Sequence, residues 1–539
     1  LTQLTELDLG GCDKLTNVDG LQNLTNLKEL NLSSCEKLTN VDDLQNLKNL
    51  TELALSFCKS LANVDGLPNL TQLTQLDLIW CESLTNVDGL QNLTNLTELN
   101  LSFCKKLTNV DGLQNLTNLK ELNLSSCESL TNVDGLQNLT QLRELDLSDC
   151  ESLTNIDGLQ NLTQLTKLDL VLCESLTNVD VLQNLTKLTA LDLSASNSLT
   201  NVDVLQNLTN LTDLVLSYSK NLSNVGVLEN LTKLTTLDLH KCESLTNVDG
   251  LHNLTQLTTL KLYRCESLTN VDGLQNLTKL TTLDLRDCES LTDVKVLQNL
   301  TQLRELDLSD CESLRNFDVL QNLSNLTKLD LSQCIYLSKI APLSQLPHLA
   351  ELKLDECPNI FDIETLRGHS ALEELYWSSN PVLGGFVLLS ALTHRRATEK
   401  IKNITNDLAE KYSDVIPLMR SPEWQVPVLA KAFVLADELE AYEKCIALLR
   451  EHHRLTLEQW QSYFEQAFLC GSESFSESFL NNLCQSTIDE DDEEKQKGGS
   501  SKNEINTLGG LLLALASAPS QYRERALQIA ENALQEETV

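Results

Sequence analysis

Apolar residues return along this chain at fixed intervals, and the intervals themselves repeat. The first set is Leu4, Leu7, Leu9, Cys12, Leu15, Val18, Leu21 and Leu24, and the same order begins again 23 residues later at Leu27. The spacing within one unit predicts its local structure. Leu7 and Leu9 alternate with Glu6 and Asp8, which reads as a short strand with leucines inward and acids outward. Val18, Leu21 and Leu24 recur every three residues, which suits a 3₁₀ or helical return on the opposite side. No single unit can close a core. A buried Leu contributes roughly 1.5–3 kcal/mol, whereas ordering the unit costs about 1.5 kcal/mol per residue. Only stacking on both neighbours makes the sum favourable, so the array is expected to be one cooperative rod.

Cysteine marks the period. Cys12, Cys35, Cys58, Cys81, Cys104, Cys127, Cys150 and Cys173 stand one period apart, Ser196 and Ser219 hold the next two places, and Cys242, Cys265, Cys288, Cys311, Cys334 and Cys357 follow. Asn380 ends the series at seventeen repeats. A leucine-based period of this length is the signature of a leucine-rich repeat solenoid. The strand-and-cysteine half, Leu76 to Leu84, resembles the cysteine-containing subclass of that superfamily. The other half, Asn86 to Leu93, is similar to the short internalin-like repeats of bacteria. The resemblance covers roughly residues 1–385. It implies an α/β solenoid, a leucine-rich repeat horseshoe with a parallel sheet on its concave face, used mostly to bind proteins. The near-identity of the repeats fits a bacterial tandem expansion. The scaffold by itself names no partner.

Fourteen of the 17 cysteines occupy one repeat position. Neighbouring coils lie about 4.8 Å apart, within disulfide reach, but the side chains point the same way into the core and pairing would distort the ladder. The reading is a column of free structural thiols, with Ser196, Ser219 and Asn380 in the same backbone-capping role, no metal, and a reducing compartment, the cytoplasm. A second column, Asn23, Asn46, Asn69 and Asn92, is often followed by Leu-Thr. Each such triplet has the form of a glycosylation acceptor; the repeat explains it better as a side chain bonding the turn backbone.

Charge narrows the partners. The 539 residues carry 40 Lys+Arg against 77 Asp+Glu, a net charge of −37, with 41% apolar residues to build a core. That balance argues against a surface that tracks nucleic acid or an anionic membrane, and it favours a protein or peptide partner of neutral or basic character. No apolar run reaches the roughly 18 residues needed to span a bilayer. No cofactor is implied. The acids concentrate at the two outward strand positions. One column includes Glu6, Glu29, Glu52, Glu98, Glu121 and Glu144; the other includes Asp8, Asp77, Asp146, Asp169 and Asp192, continuing to Asp330.

In a repeat array the information lies in departures from the rule. Just before the cysteines, where Gly, Ser or Asp is usual, three successive repeats carry Phe57, Trp80 and Phe103, with Ile79 beside Trp80. Stacking predicts one exposed row of rings, the material of binding hot spots. Farther on, Tyr218, His240, Lys241, Lys261, Tyr263, Arg264 and Arg286 fall at outward positions that are elsewhere acidic or Ser. They predict a basic-aromatic island on the acidic rod, suited to a carboxylate-rich or phosphorylated peptide or a nucleotide-like ligand, or serving only to relieve like-charge repulsion.

The repeat fades after Trp377, and the domain boundary is set at 385/386. The remainder, 386–539, reads as an all-α domain with helices near 394–413, 423–437, 440–453, 456–470, 473–484, 504–517 and 520–536, and an acidic loop near 486–503. Pro422 and Pro519 mark helix starts. Paired segments there resemble antiparallel hairpins of the tetratricopeptide kind. Enzyme chemistry finds little support. Bacterial effectors join such repeats to a helical ubiquitin ligase with a Cys-x-Asp nucleophile, but Cys445, Cys470 and Cys484 are not followed by that pattern. No phosphate-binding glycine loop or zinc spacing occurs. The expected function is non-enzymatic protein recognition through the concave face and its flanking loops. Because Leu1 opens without Met inside a repeat, the chain also reads as a piece of a longer protein. The ligand-sensing part of a nucleotide-binding immune receptor is then an alternative, as is the bacterial effector.

Overall fold

The computed structural model describes residues 2–199, 202–378, 387–393, 397, 399–401 and 403–404. Asn380, Cys445, Cys470, Cys484, the acidic loop and the helices expected beyond 404 lie outside the described residues. Of the helix expected over 394–413, residues 399–401 and 403–404 are described and helical. The chain divides into two compact units, Leu1–Leu337 and Ser338–Val539.

In the first unit every coil contributes one three-residue strand. They are β1 (Glu6–Asp8), β2 (Glu29–Asn31), β3 (Glu52–Ala54), β4 (Gln75–Asp77), β5 (Glu98–Asn100), β6 (Glu121–Asn123), β7 (Glu144–Asp146), β8 (Lys167–Asp169), β9 (Ala190–Asp192) and β10 (Asp213–Val215), then β11 (Thr236–Asp238), β12 (Thr259–Lys261), β13 (Thr282–Asp284), β14 (Glu305–Asp307) and β15 (Lys328–Asp330). Neighbours pair in parallel and in strict register, as with Glu29↔Glu52, Leu30↔Leu53 and Asn31↔Ala54. A 23-residue period with no slip puts identical positions side by side, so every repeat position becomes a row along the stack. The inward rows form the core. In the second coil Leu27, Leu32, Cys35, Leu38, Val41, Leu44 and Leu47 are all fully buried.

The return is a 3₁₀ turn in nearly every coil, for example Asp88–Leu90, in which the Leu90 amide donates to the Val87 carbonyl at 2.9 Å. Asn86 starts that turn by accepting the Asp88 amide on its side-chain oxygen at 3.1 Å. Where the sequence reads Asp-Gly-Leu, the turn presses on the coil before it. A Cβ on Gly135 would lie 2.2 Å from the Val110 carbonyl oxygen, far inside contact distance. With Val181 in that place the turn is longer, Asp180–Asn184, whereas the coil with Val227 keeps a three-residue turn, Gly226–Leu228. The Asn23-type column bonds backbone as expected, but across coils: Asn115 donates to the Gln91 carbonyl at 3.3 Å and Asn138 to that of Gln114 at 3.4 Å.

In the second unit β16 (Glu351–Lys353) and β17 (Glu374–Tyr376) pair in the same parallel register. Asp362 ties the 3₁₀ turn Ala341–Gln345, accepting the Ile340 and Ala341 amides at 2.9 and 3.0 Å. Residues 387–393 are helical, with Val387, Leu389 and Leu392 buried. Among the described residues no helix is long and apolar enough to cross a membrane.

Candidate functional site

The inner face is shaped where each strand ends. The last strand residue is usually Asp or Asn, and its side-chain oxygen accepts the amide two residues on, as when Asp77 takes the Ile79 amide at 3.0 Å and Asn100 that of Ser102 at 2.9 Å. This bend turns the chain toward the core. The next residue then adopts a left-handed backbone in coil after coil. Fifteen non-glycine residues from Ser34 to Glu356 have φ between 54° and 62°, and Gly11 has the same hand at 75°. Such a backbone costs roughly 1–2 kcal/mol for a residue with a Cβ. The stack offsets it: the Trp80 amide donates to the Ser102 carbonyl at 2.9 Å, and the Phe103 amide to that of Ser125 at 2.8 Å. After this residue the chain enters the core at the cysteine.

The thiols act as backbone caps. Cys104 donates to the Leu78 carbonyl at 3.4 Å, Cys58 to that of Leu32 at 3.2 Å, and Ser196 repeats the contact with its hydroxyl on Leu170 at 3.4 Å. None of the fourteen described cysteines forms a disulfide, and all but Cys12 are buried. Burial pushes the thiols of Cys58, Cys104 and Cys173 up to about 12, away from the thiolate form that nucleophiles and metal ligands need. Among the described residues no group of three or more His, Cys, Asp or Glu is set to hold a metal ion.

The left-handed position carries the predicted aromatic row. Phe57 and Trp80 stack with centroids 6.0 Å apart and planes 9° from parallel, and Trp80 and Phe103 at 4.2 Å and 7°. Phe57 is 43% exposed, while Ile79, Trp80 and Phe103 are half-buried. The rings shield one another's faces and leave their edges at the surface.

Beside this ridge the outward residues of β1–β10 line a trough of about 1360 Å³. Twelve carboxylates border it against a single ammonium, Lys167, which is spent on Glu144 at 2.9 Å. Part of this charge is structural, since the Asp8-type column makes the strand-end bend; Asn31, Asn100 and Asn123 do the same without charge. The Glu6-type column has no such duty. Glu29, Glu52, Glu98 and Glu121 make no ion pair among the described residues, and they face each other in register. Toward the middle the crowding shows in the titration. Burial, with the charges of Asp146 and Asp192 on either side, holds Asp169 up at about 6, and burial also raises Asp192.

The second predicted group comes together on β11–β13 and the loops that follow. His240 stacks on Tyr263 at 4.2 Å and meets Tyr218 edge-on at 5.0 Å. Lys241 sits over the Tyr218 ring at 4.3 Å and bonds its hydroxyl at 2.9 Å, and the Arg286 guanidinium lies 5.0 Å from the centre of Tyr263. The cations are largely matched within the protein. Lys261 and His240 both reach Asp238, only 6% exposed, at 3.2 and 2.6 Å. Arg264 pairs with Asp287 and Arg286 with Asp284, each at 2.9 Å. The result is a braced aromatic strip with its charge locally balanced.

The left-handed row and the strand-end bends were not anticipated from sequence. Their signals were there: Gly11 in the first coil, and the Asp or Asn placed two residues before a recurring Ser.

The BspA type leucine-rich repeat region matches residues 78–192, 149–267, 215–338 and 261–377, and a second leucine-rich repeat description matches residues 2–46. A leucine-rich repeat protein of Leptospira interrogans is 22% identical, with 66% of this chain and 91% of that one covered at a TM-score of 0.51, which shows a shared fold. The functional domain of InlJ from Listeria monocytogenes, whose structure includes a cysteine ladder, is 25% identical over 68% of this chain and 71% of that one, with a TM-score of 0.44. An internalin of the same organism is 24% identical over 65% of this chain and 87% of that one, with a TM-score of 0.43. No curated protein matches the chain. The overlapping BspA-type matches run unbroken from residue 78 to 377, more than half of the length, and the chain belongs to the BspA-type leucine-rich repeat family.

Proposed function

We propose that this protein is a non-enzymatic recognition solenoid that binds a basic protein through its inner sheet face and the loops beside it. The glutamate column carries the reading. Glu29, Glu52, Glu98 and Glu121 hold up no turn and form no ion pair among the described residues, yet they stand in line on the floor of an open trough. Like charges set side by side raise the energy of the free protein and are relieved when a cationic surface arrives. The sheet is rigid before binding, so little ordering is lost on association. Buried thiols with raised pKa supply no nucleophile, and a column of thiols without disulfides suits the reducing cytoplasm. The bacterial cast of the repeats agrees with that setting.

The test is capture of partners with the intact chain, followed by affinity measurement of each captured protein on wild type and on the Glu98→Lys/Glu121→Lys variant. A partner held by the inner face loses at least about tenfold. Undiminished binding of every captured protein to the variant refutes the reading.

A further inference from the structure

Two parallel rows run along β3–β6, and together they select the shape of what binds. One is the ridge Phe57, Trp80 and Phe103; the other is Glu52, Glu98 and Glu121, with Gln75 in the place between. The coils of β3–β5 each give one member to each row, five residues apart, and β6 adds Glu121 to the second, so both rows keep the strand spacing of about 4.8 Å. The floor between them is mostly small and neutral, with Ala54 and Ser56 on one coil and Asn100 and Ser102 on another. An occupant must therefore show an apolar stripe to the ridge and a cationic stripe to the carboxylates.

Periodicity then decides its conformation. Three strand intervals measure about 14.4 Å. Three turns of α-helix advance about 16.2 Å, so side chains on one stripe drift by under about 2 Å, within the reach of a lysine or arginine stem. An extended segment shows a same-face side chain only every 6.4–6.8 Å or so and is roughly 5–6 Å out of step after the same three steps, so it cannot present one side chain to each coil. A helix with its side chains is also about 10–12 Å across, wide enough to touch both rows at once. Charge excludes a second copy of this acidic surface.

We propose that the stacked ridge Phe57–Trp80–Phe103 and the neighbouring glutamates form a two-row dock for a basic amphipathic α-helix of the partner, lying across the strands. This rests on the recognition reading above and adds the partner's conformation, its orientation and the anchoring side chains.

The experiment uses the full chain and three fluorescent peptides of about 18 residues, long enough for several helical turns. The first has leucines at helical spacing with lysines on the adjoining stripe, the second has the same composition with two central prolines, and the third has glutamates in place of the lysines. Anisotropy measures affinity and circular dichroism measures helix gained on mixing. The first peptide is expected to bind and become helical. The second should bind at least about tenfold more weakly and the third not at all. Trp80→Ala/Phe103→Ala and Glu98→Gln/Glu121→Gln should each weaken the first peptide about tenfold or more, with unchanged circular dichroism of the protein. Equal binding of the proline peptide, or insensitivity to the aromatic double variant, overturns the proposal. If glutamate neutralisation still weakens both lysine peptides in that case, the basic-partner reading stands without the helix. If no lysine peptide binds, and captured partners ignore the Glu98→Lys/Glu121→Lys variant, both fall together.

Discussion

The glutamate column makes a claim about stability as well as binding: removing its charge should make the protein harder to unfold. Glu98, Glu121 and Glu144 are register partners on β5, β6 and β7. At the strand spacing of about 4.8 Å, two unit charges in water repel by roughly 0.9 kcal/mol. A Debye length of about 8 Å at physiological ionic strength lowers this to roughly 0.5 kcal/mol. Glu98→Gln/Glu121→Gln abolishes both neighbour pairs, so the gain is about 1 kcal/mol in physiological salt and nearly twice that at low ionic strength. Lys167 already offsets part of the pair that involves Glu144, at 2.9 Å, and splaying of the side chains trims the rest, so these are upper figures. The amides leave the core and the strand-end bends untouched. Urea unfolding of wild type and variant at two salt concentrations is the assay, with the first unit's transition followed by circular dichroism. A variant no more stable than wild type at low salt refutes the argument. So does a gain that persists undiminished near 1 M salt, since that would trace to propensity or packing.

Three further outcomes follow from the same coordinates. Asp169 has its folded pKa raised from 3.8 to about 6, so the folded state binds the proton more tightly than the unfolded chain; stability from this group is complete below about pH 4 and is lost as pH rises through about 6. Asp169→Asn keeps an acceptor for the Val171 amide, now at 3.0 Å, and should gain on the order of 1 kcal/mol at pH 7 after allowance for solvent screening, with no advantage at pH 4; parallel curves for the two proteins across this window would contradict it. Gly135→Val should destabilise by about 1–3 kcal/mol, because both neighbouring coils have the tight Asp-Gly-Leu turn and the Val110 carbonyl blocks the new Cβ; an unchanged urea midpoint would show that the turn lengthens freely. Iodoacetamide on the folded protein should modify Cys12 well before the thirteen buried ladder thiols, all of which react after denaturation; rapid native labelling of Cys104 would contradict the buried cap.

The fold was legible because the stack converts sequence period directly into space. Leu30, Leu32, Cys35 and Val41 could be placed inward by spacing alone, and the strict register of Leu30 on Leu53 is the same repeat seen in three dimensions. The aromatic row was legible for the same reason: three rings one period apart must meet. Two features escaped. The backbone hand at Trp80 is set by hydrogen bonds to the neighbouring coil, such as the one to Ser102, and a preference imposed by the stack leaves little trace in the residue that adopts it. The pairing inside the island escaped because its counter-charges sit in different columns, Asp238 and Asp284 at the strand ends and Asp287 in the left-handed row. Only the side-chain directions show Lys261 and His240 converging on one buried carboxylate.

The left-handed position explains why the repeat varies where it does. Its backbone is fixed by bonds that every coil makes with the next, so the residue there contributes little to holding the coil together beyond tolerating the strain. Across the first unit that place is filled by Gly11, Ser34, Phe57, Trp80, Leu172, Lys241, Arg264 and Asp310, and the backbone angle scarcely changes. The strand leucines allow no such freedom, because each fills a closed space between two coils. A position that is geometrically rigid and chemically permissive gives a row of sockets at strand spacing, into which side chains can be exchanged without disturbing the frame. Phe57, Trp80 and Phe103 occupy three adjacent sockets next to carboxylates that form no ion pair among the described residues. The frame needs neither the rings nor the glutamates on β3–β6, and it is this freedom from structural duty that the proposed dock uses.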